Sequence, residues 1–519
     1  MDFDQADFDQ ALHGVAVVER AGANPRVTGV EYDSRRVQAG AVFVAMRGEV
    51  TDGNKFLAAA IERGATAIVT DSASSFASMA AAMPQAHPQL GLARVEHGRR
   101  ALSGISANLF HHPERKLHLT GVTGTNGKTT TAFLLESMLR SAQRFCVLIG
   151  TIEYHVAKAI LPAPHTTPES RDLLRIFADG VAQGATEAVM EVSSHALDQG
   201  RVWGLRYDTA IFTNLTQDHL DYHGDMESYF KAKSLLFSGT GAAPPRVAVI
   251  HTEDSYGQRI AALAKKSGSV VFDYALHAGS FHAEDVQITA NGTRFRMVTP
   301  EKTLDAYTRL VGAVNVLNLL AASAAAYARG LTMDEILQGM VQLECVPGRF
   351  QSVDCGQPFT VVVDYAHTED ALCNVTRLAR ALAAANGGRV ITLFGCGGDR
   401  DRSKRPRMGQ AAGEGSDIVV LTSDNPRSED PNGILEEILP GVQATGVSYF
   451  VEADRAAAIM QAVALARAND VVLLAGKGHE KVQILHDRSI SFDDAEIARL
   501  ALREWMKLAR TEPARLAGK

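Results

Sequence analysis

A glycine-rich stretch that contains one lysine and two threonines, GVTGTNGKTT at residues 121–130, has the residue types and spacing that bind phosphate. The apolar alternation before it predicts a strand, and the pattern TAFLLESMLR after it predicts a helix. Glycines let backbone N–H groups turn toward an anion, and the first helical turn adds unpaired N–H groups and the positive end of the helix dipole. We expect Lys128 to reach the β- and γ-phosphates and the Thr129 hydroxyl to ligate Mg²⁺.

This loop departs from the general pattern G-x-x-x-x-G-K-[ST] at its first glycine. Val122 stands at that position, and the glycines fall instead at positions 121, 124 and 127. The alternative interpretation is an ordinary glycine-rich turn with an incidental lysine. The strand–loop–helix context favours phosphate binding.

Composition restricts the class of protein to which the loop belongs. A chain of 519 residues predicts about three or four domains, and 46% hydrophobic and 21% charged residues are typical of soluble globular proteins. The net charge of −7 gives no support for a nucleic-acid surface, so the expected phosphate ligand is a nucleotide. The five cysteines are odd in number and contain no C-x-x-C pair, which argues against a disulfide framework or a zinc site and fits a reducing compartment.

The two kinds of segment that would direct a chain to a membrane are not predicted. The N-terminal stretch MDFDQADFDQ is acidic and lacks the basic and apolar regions of a secretory signal. The longest uncharged apolar stretch, VGAVNVLNLLAASAAAYA, is interrupted by two asparagines. We therefore expect a cytoplasmic enzyme without membrane insertion and without a nucleic-acid partner.

The elements that must position the loop predict an α/β fold with three domains. Residues 1–112 mix short strands and helices and predict a smaller N-terminal α/β domain. In residues 113–346 strands alternate with helices after the phosphate loop, which predicts a parallel, doubly wound sheet. The pair Pro347–Gly348, which favours a turn, precedes another alternation of strands and helices. Residues 347–519 therefore predict a second open parallel sheet.

Polar residues follow the predicted strands of the central region. Ligands of such sheets bind beyond the carboxyl ends of the strands, so these side chains should gather near the phosphate loop. They are Glu191, Ser193, His195, Asn214, Asp218 and His219. Glu191 is either a buried structural acid or a cation ligand. Its apolar neighbours favour the ligand, since a carboxylate is costly to bury without a cation.

Eight segments, taken together and in order, resemble the Mur ligase family. They are GVTGTNGKTT, EVSSHAL, TNLTQDHLDYHGDMESY with KAKSLLF, PGRF, DYAHTEDAL, GCGGDRDRSKRP, DNPR and GKGHE. The resemblance covers nearly the whole chain and implies an N-terminal domain for a UDP-sugar, a central P-loop ATPase domain and a C-terminal Rossmann-like domain that binds an amino acid. It also implies ATP and Mg²⁺ as cofactors, and a monomer is expected.

The reaction that this resemblance implies is ATP-driven amide formation in peptidoglycan precursor synthesis. A carboxylate of UDP-MurNAc-L-Ala-D-Glu attacks the γ-phosphate, and the amine of meso-2,6-diaminopimelate then displaces phosphate from the acyl phosphate. Two anions meet in the first step, which requires dense positive charge.

The resemblance also assigns the nucleotide and metal residues. The predicted ATP-binding residues are Gly124, Thr125, Asn126, Gly127, Lys128, Thr129, Thr130, Asn315, Arg349 and Asp364. The predicted metal ligands are Thr129, Glu191, His219 and Lys233. His367 either contributes to the nucleotide site or caps the next helix.

Three residues are predicted to be catalytic: Lys128, His195 and Lys233. His195 is expected to orient or stabilise the acyl phosphate. Lys233 matches the lysine that the family carbamylates, which converts a cation that would repel Mg²⁺ into an anionic ligand. The alternative is a surface lysine on an amphipathic helix, and only the position in YFKAKSLLF selects Lys233 over Lys231.

Two further sets follow from the resemblance. The predicted UDP-sugar residues are Ser34, Arg35, Thr166, Thr167, Ser193, Gln199 and Arg201, whereas Asn54 stands where the family often has histidine. The predicted diaminopimelate residues are Arg400, Asp424, Asn425, Arg427, Gly476 and Glu480. A guanidinium can hold the second carboxylate of diaminopimelate bidentately, and lysine would leave it unpaired. Without the family match, Asp-Asn-Pro-Arg would be interpreted as a plain turn.

Two other functions are weighed against this one. A lysine-adding or folylpolyglutamate-type ligase shares the chemistry, but DNPR argues against lysine and the long N-terminal domain with its DSR motif argues against the folate branch. A P-loop ATPase or regulatory nucleotide-binding protein would need no GDRD, DNPR and GKGHE loops on a separate sheet.

Overall fold

The computed structural model describes residues 6–48 and 51–511 of the chain, without the side chains of Pro84 and residues 509–511. Residues 1–5 and 512–519, at the ends of the predicted first and third domains, lie outside the described part. The structure is an α/β assembly with three large sheets, which confirms the predicted fold class.

The N-terminal sheet has five strands in the order β2-β7-β6-β5-β4, parallel except that β2 runs antiparallel to β7. Helices cover both of its faces, and the apolar side chains of β5 are buried throughout. The elements are β1 (Ala6–Asp7), α1 (Phe8–Ala11), β2 (Val17–Gly22), β3 (Arg26–Val27), β4 (Gly29–Glu31), β5 (Ala41–Ala45), α2 (Leu57–Glu62), β6 (Ala67–Thr70), α3 (Ala73–Ala86), β7 (Gly91–Val95) and α4 (Gly98–Leu109).

The central sheet has eight strands in the order β11-β10-β9-β12-β8-β13-β14-β15. Six are parallel, and the hairpin β10–β11 adds an antiparallel edge. Its strands are β8 (His118–Thr123), β9 (Cys146–Ile149), β10 (Glu153–Val156), β11 (Ala159–Pro162), β12 (Glu187–Glu191), β13 (Thr209–Phe212), β14 (Val247–His251) and β15 (Val270–Tyr274). A three-stranded antiparallel sheet, which the sequence interpretation did not foresee, follows: β16 (His282–Thr289), β17 (Gly292–Val298) and β18 (Thr303–Thr308).

Helices bury both faces of the central sheet. One face packs against α5, α11 and α12, and the other against α6, α9 and α10. The helices are α5 (Lys128–Ser141), α6 (Ser170–Ala182), α7 (Ser194–Asp198), α8 (Leu220–His223), α9 (Met226–Ser238), α10 (Ser255–Lys266), α11 (Ala313–Ala328) and α12 (Met333–Gln342). The alanine-rich α11 is buried along most of its length. Among the described helices, none has both the length and the apolar character needed to cross a membrane.

The C-terminal sheet has six strands in the order β19-β20-β24-β21-β22-β23, of which only β19 is antiparallel to its neighbour. The elements are β19 (Gln351–Ser352), β20 (Thr360–Asp364), α13 (Glu369–Ala384), β21 (Val390–Phe394), α14 (Lys404–Gly415), β22 (Ile418–Leu421), α15 (Pro431–Ala444), β23 (Ser448–Val451), α16 (Arg455–Leu465), β24 (Val471–Ala475), β25 (Val482–Ile484), β26 (Ser489–Ser491) and α17 (Asp494–Thr511).

Strand order decides which loops meet. β8, which leads into the phosphate loop, lies between β12 and β13, so the loops after all three strands share one edge. In the C-terminal sheet, β20, β24, β21 and β22 are neighbours, so the loops DYAH, GKGHE, GCGGDRD and DNPR share another. Both edges are carboxyl edges, where parallel sheets place their ligands.

Candidate active site

The phosphate loop joins β8 to α5 through two glycines with left-handed backbone angles. Gly124 has φ +148° and Gly127 has φ +85°. A Cβ atom at Gly124 would overlap the Thr213 hydroxyl, and one at Gly127 would overlap the Asn318 side-chain oxygen. Glycine is therefore required at both positions for backbone conformation and for space.

The loop following β13 holds the phosphate loop in place. The backbone N–H of Asn126 donates to Asn214 Oδ1 at 2.9 Å, and that of Thr125 donates to the Asn214 carbonyl at 2.9 Å. The Thr213 hydroxyl donates to the Asn126 carbonyl at 2.6 Å. These contacts fix the backbone path of the loop through a neighbouring strand end.

Two lysines point at the same carbonyl oxygen. Lys128 Nζ donates to the carbonyls of Gly124 at 2.9 Å and Thr125 at 2.7 Å, and Lys233 Nζ donates to the Gly124 carbonyl at 2.8 Å. Lys233 is buried on α9, with Nζ 4.6 Å from the centre of the Tyr229 ring. Desolvation lowers the pKa of Lys128 and, together with the nearby Lys128 charge, lowers the pKa of Lys233 well below its usual range. Lys233 is thus a buried amine beside the phosphate loop, and the alternative of a surface lysine is wrong.

Glu191 ends β12 and is buried beside the loop. Its Oε1 accepts from the Thr151 backbone N–H at 2.8 Å, and its Oε2 accepts from the Thr151 hydroxyl at 3.1 Å. The Thr151 hydroxyl also lies 3.0 Å from that of Thr166. The carboxylate interacts electrostatically with the Lys128 ammonium and keeps further lone pairs for a cation.

Three histidines and a tyrosine cluster above α7. The ring of His195 lies 5.0 Å from His219, 4.1 Å from Tyr222 and 5.4 Å from His223. His219 has φ +52° and an exposed side chain, whereas His223 Nε2 is 2.9 Å from the Ser194 hydroxyl. Within the described residues, no three His, Cys, Asp or Glu side chains could hold a metal by themselves. A metal here would depend on Thr129 and on a modified Lys233.

A cavity of about 320 Å³ lies between the central and C-terminal sheets and opens onto the phosphate loop. From the central region it is lined by residues of the phosphate loop and by Glu191, Ser193, His219, Lys233 and Asn315; from the C-terminal region it is lined by Arg349, Asp364, Tyr365 and His367. Its position makes the cavity the candidate nucleotide site.

Direct contacts hold the two sides of this cavity together. Asp370 Oδ2, at the start of α13, accepts from Asn126 Nδ2 at 3.0 Å and from the Thr216 hydroxyl at 3.3 Å. Arg349 Nη2 donates to the Thr129 hydroxyl at 3.4 Å, and its guanidinium lies 4.5 Å from the centre of the Tyr365 ring. The C-terminal region therefore touches the phosphate loop itself.

The remaining predicted nucleotide residues make firm local contacts. Asn315 Nδ2 donates to the Val311 carbonyl at 2.9 Å, and Asn318 Nδ2 donates to Asn315 Oδ1 at 3.2 Å. Asp364 accepts the backbone N–H groups of Phe350 at 2.7 Å and Ala366 at 2.8 Å, while burial raises its pKa. The helix cap considered for His367 is wrong: Thr368 caps α13, because its hydroxyl accepts the Ala371 N–H.

The predicted UDP-sugar residues fall into two groups. On the central domain, the Thr167 hydroxyl donates to the Glu191 carbonyl at 2.9 Å, and Arg201 contacts the Thr167 carbonyl at 3.2 Å and Gln199 Oε1 at 2.9 Å. Thr166 and Ser193 line the cavity. Ser34 and Arg35 lie apart, on a short turn after β4, and Arg35 is 85% exposed and paired with Asp33.

The turn that carries Ser34 also contacts the central domain. Arg36 Nη2 donates to Asp172 Oδ1 at 3.0 Å, and the Tyr32 hydroxyl donates to Asp172 Oδ2 at 2.8 Å. Asn54 donates to Asp52 at 2.8 Å and to Asp71 at 2.9 Å. Asn54 therefore braces the carboxyl edge of the N-terminal sheet.

The six predicted diaminopimelate residues lie on adjacent loops of the C-terminal sheet. Arg427 Nη1 donates to the Gly398 carbonyl at 2.7 Å, and Arg400, which is exposed, donates to the Asp399 carbonyl at 3.1 Å. Asn425 Nδ2 donates to Glu480 Oε2 at 2.8 Å. A Cβ at Gly476 would meet Asp424 Oδ2 at 2.6 Å, so this glycine gives the carboxylate its room.

Four residues of the two sites were missed by sequence reasoning. Asn318 contacts Thr131, directly after the phosphate loop; Thr151 and Asp370 contact Glu191 and Asn126, and Lys477 contacts Asn425. Only Asn318 left a sequence signal, since two asparagines three residues apart in an apolar helix are unusual. The other three contacts arise from pairs of residues far apart in the chain.

Comparison with known proteins adds a family to this geometry. Three profiles match: "Mur ligase family, catalytic domain" over residues 26–110, "Mur ligase middle domain" over 122–326, and "Mur ligase, glutamate ligase domain" over 348–478. The three matches follow one another along the chain and fall on the three sheets.

Individual proteins are similar over almost their full length. UDP-N-acetylmuramoyl-L-alanyl-D-glutamate--2,6-diaminopimelate ligase of Solibacter usitatus is 50% identical over 93% of this chain and 94% of its own. The protein of the same name from Geobacillus thermodenitrificans is 44% identical over 93% and 96%. A solved structure of a ligase with that name is 31% identical and covers 97% of this chain and 99% of its own, with a TM-score of 0.68. The resemblance is confirmed, and the chain belongs to the Mur ligase family.

Proposed function

We propose that this protein is an ATP-dependent ligase that joins meso-2,6-diaminopimelate to UDP-N-acetylmuramoyl-L-alanyl-D-glutamate through an acyl phosphate. The observation that carries the proposal is the cavity in which the phosphate loop faces Arg349, Asp364 and Tyr365 of another sheet. A nucleotide held between two sheets suits a reaction in which one side supplies phosphate chemistry and the other supplies an acceptor. The names of the 50% and 44% identical relatives support the choice of acceptor.

The first step brings a substrate carboxylate to the γ-phosphate of ATP. The N–H groups of Gly127 to Thr130 and the Lys128 ammonium counter the negative charge of the phosphates. Lys128 donates to two loop carbonyls, so its ammonium already lies at the phosphate loop. Thr166, Thr167, Ser193, Gln199 and Arg201 orient the UDP-sugar peptide from the same edge, and His195 stabilises the acyl phosphate.

The donors at this edge fit Mg²⁺. The Glu191 carboxylate is buried at the cavity and keeps lone pairs for a cation, and the Thr129 hydroxyl faces the cavity. We propose that these two oxygens, His219 and a carbamylated Lys233 hold the ion, which neutralises phosphate charge when it is bound. Carbamylation also removes the conflict between two amines on one carbonyl, since it turns Lys233 into an anion beside the Lys128 cation.

Adenine and ribose lie on the other side of the cavity in this proposal. Asn315 and Arg349 contact the adenosine, the Tyr365 ring supports the Arg349 guanidinium, and Asp364 accepts a ribose hydroxyl. The carboxylate of Asp364 is already aligned by two backbone N–H groups and keeps further lone pairs for a ligand.

The second step needs the amine of diaminopimelate at the acyl phosphate. We propose that Arg427, with Asp424 and Asn425, holds the distal carboxylate and that Gly476 and Glu480 hold the distal amino group. Arg400, exposed on the neighbouring loop, adds positive charge for a carboxylate. The Arg427 guanidinium donates one N–H to the Gly398 carbonyl. This hydrogen bond fixes the plane of the guanidinium and leaves its remaining donors for a carboxylate.

The broader organisation is proposed on the same grounds. The domains are taken as residues 1–112, 113–346 and 347–519, and the interdomain contacts of Asp370 and Arg349 fit a closure that excludes water from the acyl phosphate. A cytoplasmic location is supported by the five cysteines, all of which are free thiols. The protein is proposed to act as a monomer.

The test is direct product analysis. The purified protein is incubated with ATP, Mg²⁺ and UDP-MurNAc-L-Ala-D-Glu, and meso-diaminopimelate or lysine is offered separately. The expected product carries the mass of the diaminopimelate adduct and forms with stoichiometric ADP. Formation of the lysine adduct instead would assign a different acceptor, and ATP hydrolysis at full rate without either acceptor would contradict ligase activity.

A further inference from the structure

Lys477, in the GKGHE loop after β24, has no exposed side-chain surface. Its Nζ donates to Asn425 Oδ1 at 3.0 Å and to Glu480 Oε2 at 2.9 Å. Both partners belong to the loops proposed above to bind the amino acid. A buried ammonium that contacts two binding residues at once determines which of their donor and acceptor atoms remain available to a ligand.

The contact decides which way the Asn425 amide faces. Asn425 Oδ1 accepts from Lys477 Nζ and also from the Ile484 backbone N–H at 2.9 Å. Neither group can act as an acceptor, so the oxygen must face them and the amide nitrogen must face the other way. Nδ2 donates one hydrogen to Glu480 Oε2, and within the described part of the chain its second hydrogen has no protein acceptor.

The same contact decides which oxygen of Glu480 is available. Oε2 accepts from both Asn425 Nδ2 at 2.8 Å and Lys477 Nζ at 2.9 Å. Oε1 has no protein donor among the described residues, and the Glu480 side chain is 29% exposed. One carboxylate oxygen is therefore fixed by the protein, while the other faces outward with its lone pairs unused.

The pair that results is complementary to one end of an amino acid. The second amide N–H of Asn425, which lies in a buried pocket, is a donor for a carboxylate, and the open Glu480 carboxylate oxygen is an acceptor for an ammonium group. Without Lys477 the Asn425 amide would keep only the Ile484 N–H to fix its orientation, and Glu480 Oε2 would keep only the Asn425 amide as a donor, so the pattern of one donor beside one acceptor would be held less firmly.

We propose that Lys477 is a positioning residue that orients Asn425 and Glu480 to receive the carboxylate and the ammonium of the incoming amino acid. The inference rests on the proposed function, in which these loops bind diaminopimelate. Lys477 itself is too deeply buried to touch the ligand, and it acts through its two partners.

The test is the variant Lys477→Met, which keeps the length of the side chain and removes its donors. The expected result is a rise of about tenfold or more in KM for meso-diaminopimelate, since hydrogen bonds to charged groups are lost, with KM for ATP and for the UDP-sugar unchanged. Lys481→Met is the matched control, because Lys481 lies four residues on, is 65% exposed and pairs with Asp493. This control should behave as the parent protein.

A double-mutant cycle separates positioning from general support of the fold. If Lys477 acts through Asn425 and Glu480, Lys477→Met raises KM for diaminopimelate by a smaller factor in the Asn425→Ala background than in the parent protein, because only its action through Glu480 remains. The proposal would be overturned if the two substitutions raised KM for diaminopimelate by factors that simply multiply. It would also be overturned if Lys477→Met raised all three KM values equally or raised none of them. If Lys477→Met does not fold, Lys477→Gln, which retains one donor group, is expected to show a smaller rise in the same KM and is judged by the same criteria.

Failure of the proposed function and failure of the positioning role give different results. If the parent protein forms no diaminopimelate adduct, the proposed function fails before any variant is compared. If the parent is active and Lys477→Met has an unchanged KM for diaminopimelate, only the positioning role fails.

Discussion

The buried cationic side chains at the two carboxyl edges of the molecule differ in their partners. At the central edge, Lys128 and Lys233 both rest on the Gly124 carbonyl. At the C-terminal edge, Lys477 is paired with Glu480, and Arg455 is paired with Asp494 in an ion pair without exposed surface. The two lysines of the first edge donate to backbone carbonyls, whereas Lys477 and Arg455 of the second edge are each paired directly with a carboxylate.

This difference indicates where each edge obtains the negative charge that balances its cations. In the proposed function, the phosphate loop receives further negative charge from the nucleotide and from modification of Lys233, so its geometry is completed by ligands. The C-terminal loops receive theirs from the protein, because Arg455 also donates to the Ala475 carbonyl at 3.0 Å and supports the strand end before GKGHE. In the proposed function, the amino-acid site is therefore largely assembled before its ligand arrives. Four predictions test this contrast.

The largest expected effect is at Lys233. Lys233→Ala removes the proposed anionic ligand, and activity should fall by about 10³-fold, the scale of removing a group that stabilises transition-state charge. Short carboxylic acids added to the assay should restore part of this activity, because they can place a carboxylate in the space left by the side chain. The rate of ADP release measures both effects.

Lys231→Ala is the control, because Lys231 is an exposed residue two positions earlier on the same helix. It should retain parental activity and show no response to carboxylic acids. Full activity of Lys233→Ala without rescue would remove the argument that the central edge needs an added negative charge.

Arg455 tests the preassembled edge through stability. Arg455→Met leaves Asp494 buried and unpaired, which should lower the free energy of unfolding by about 3 kcal/mol or more. Arg455→Met with Asp494→Leu replaces the whole pair and should recover most of that loss. Urea denaturation followed by circular dichroism measures both. Equal destabilisation of the single and double variants would mean that the charge pairing is not what supports this edge.

Arg427 tests whether the preassembled edge selects the acceptor. Arg427→Lys retains the charge but loses the planar fork, and KM for meso-diaminopimelate should rise about tenfold while KM for ATP stays constant. Arg402→Lys is the control, because Arg402 is 64% exposed and pairs with Glu437. Steady-state kinetics with each substrate varied in turn measure the change, and a rise shared equally by ATP and diaminopimelate would contradict a role in acceptor binding.

The smallest expected effect is at the contact between the two edges. Asp370→Asn weakens the hydrogen bonds from Asn126 and Thr216, and kcat/KM should fall about fivefold, which corresponds to the ~1 kcal/mol of one such bond. Small-angle X-ray scattering should show a larger radius of gyration. Glu369→Gln, at the adjacent residue whose side chain is 46% exposed, should leave both quantities unchanged. Identical scattering of Asp370→Asn and the parent would argue against a role of this contact in holding the two edges together.

Local patterns in the sequence determined the chemistry of single loops. The glycine spacing and Lys128 predicted the phosphate loop, and the alternation of strands and helices predicted the parallel sheets, because backbone conformation and hydrophobic period are local properties. The same patterns could not reveal the antiparallel sheet β16–β18, whose strands lack a helix between them. The roles of DNPR and GKGHE followed only from the family resemblance, and DNPR alone would be interpreted as a plain turn.

Only the tertiary structure decided how residues far apart in the chain meet. Lys233 lies 109 positions from Gly124, yet strand order brings them to one carbonyl, and Asp370 lies 244 positions from Asn126. Lys477 looked like any lysine in a polar loop until its burial against Asn425 was seen. Such contacts depend on the order of strands in the sheets and on the packing of one domain against another, and no periodicity of the sequence encodes these. The sequence by itself determined which loops can do chemistry, and the tertiary structure decided which residues hold those loops in place.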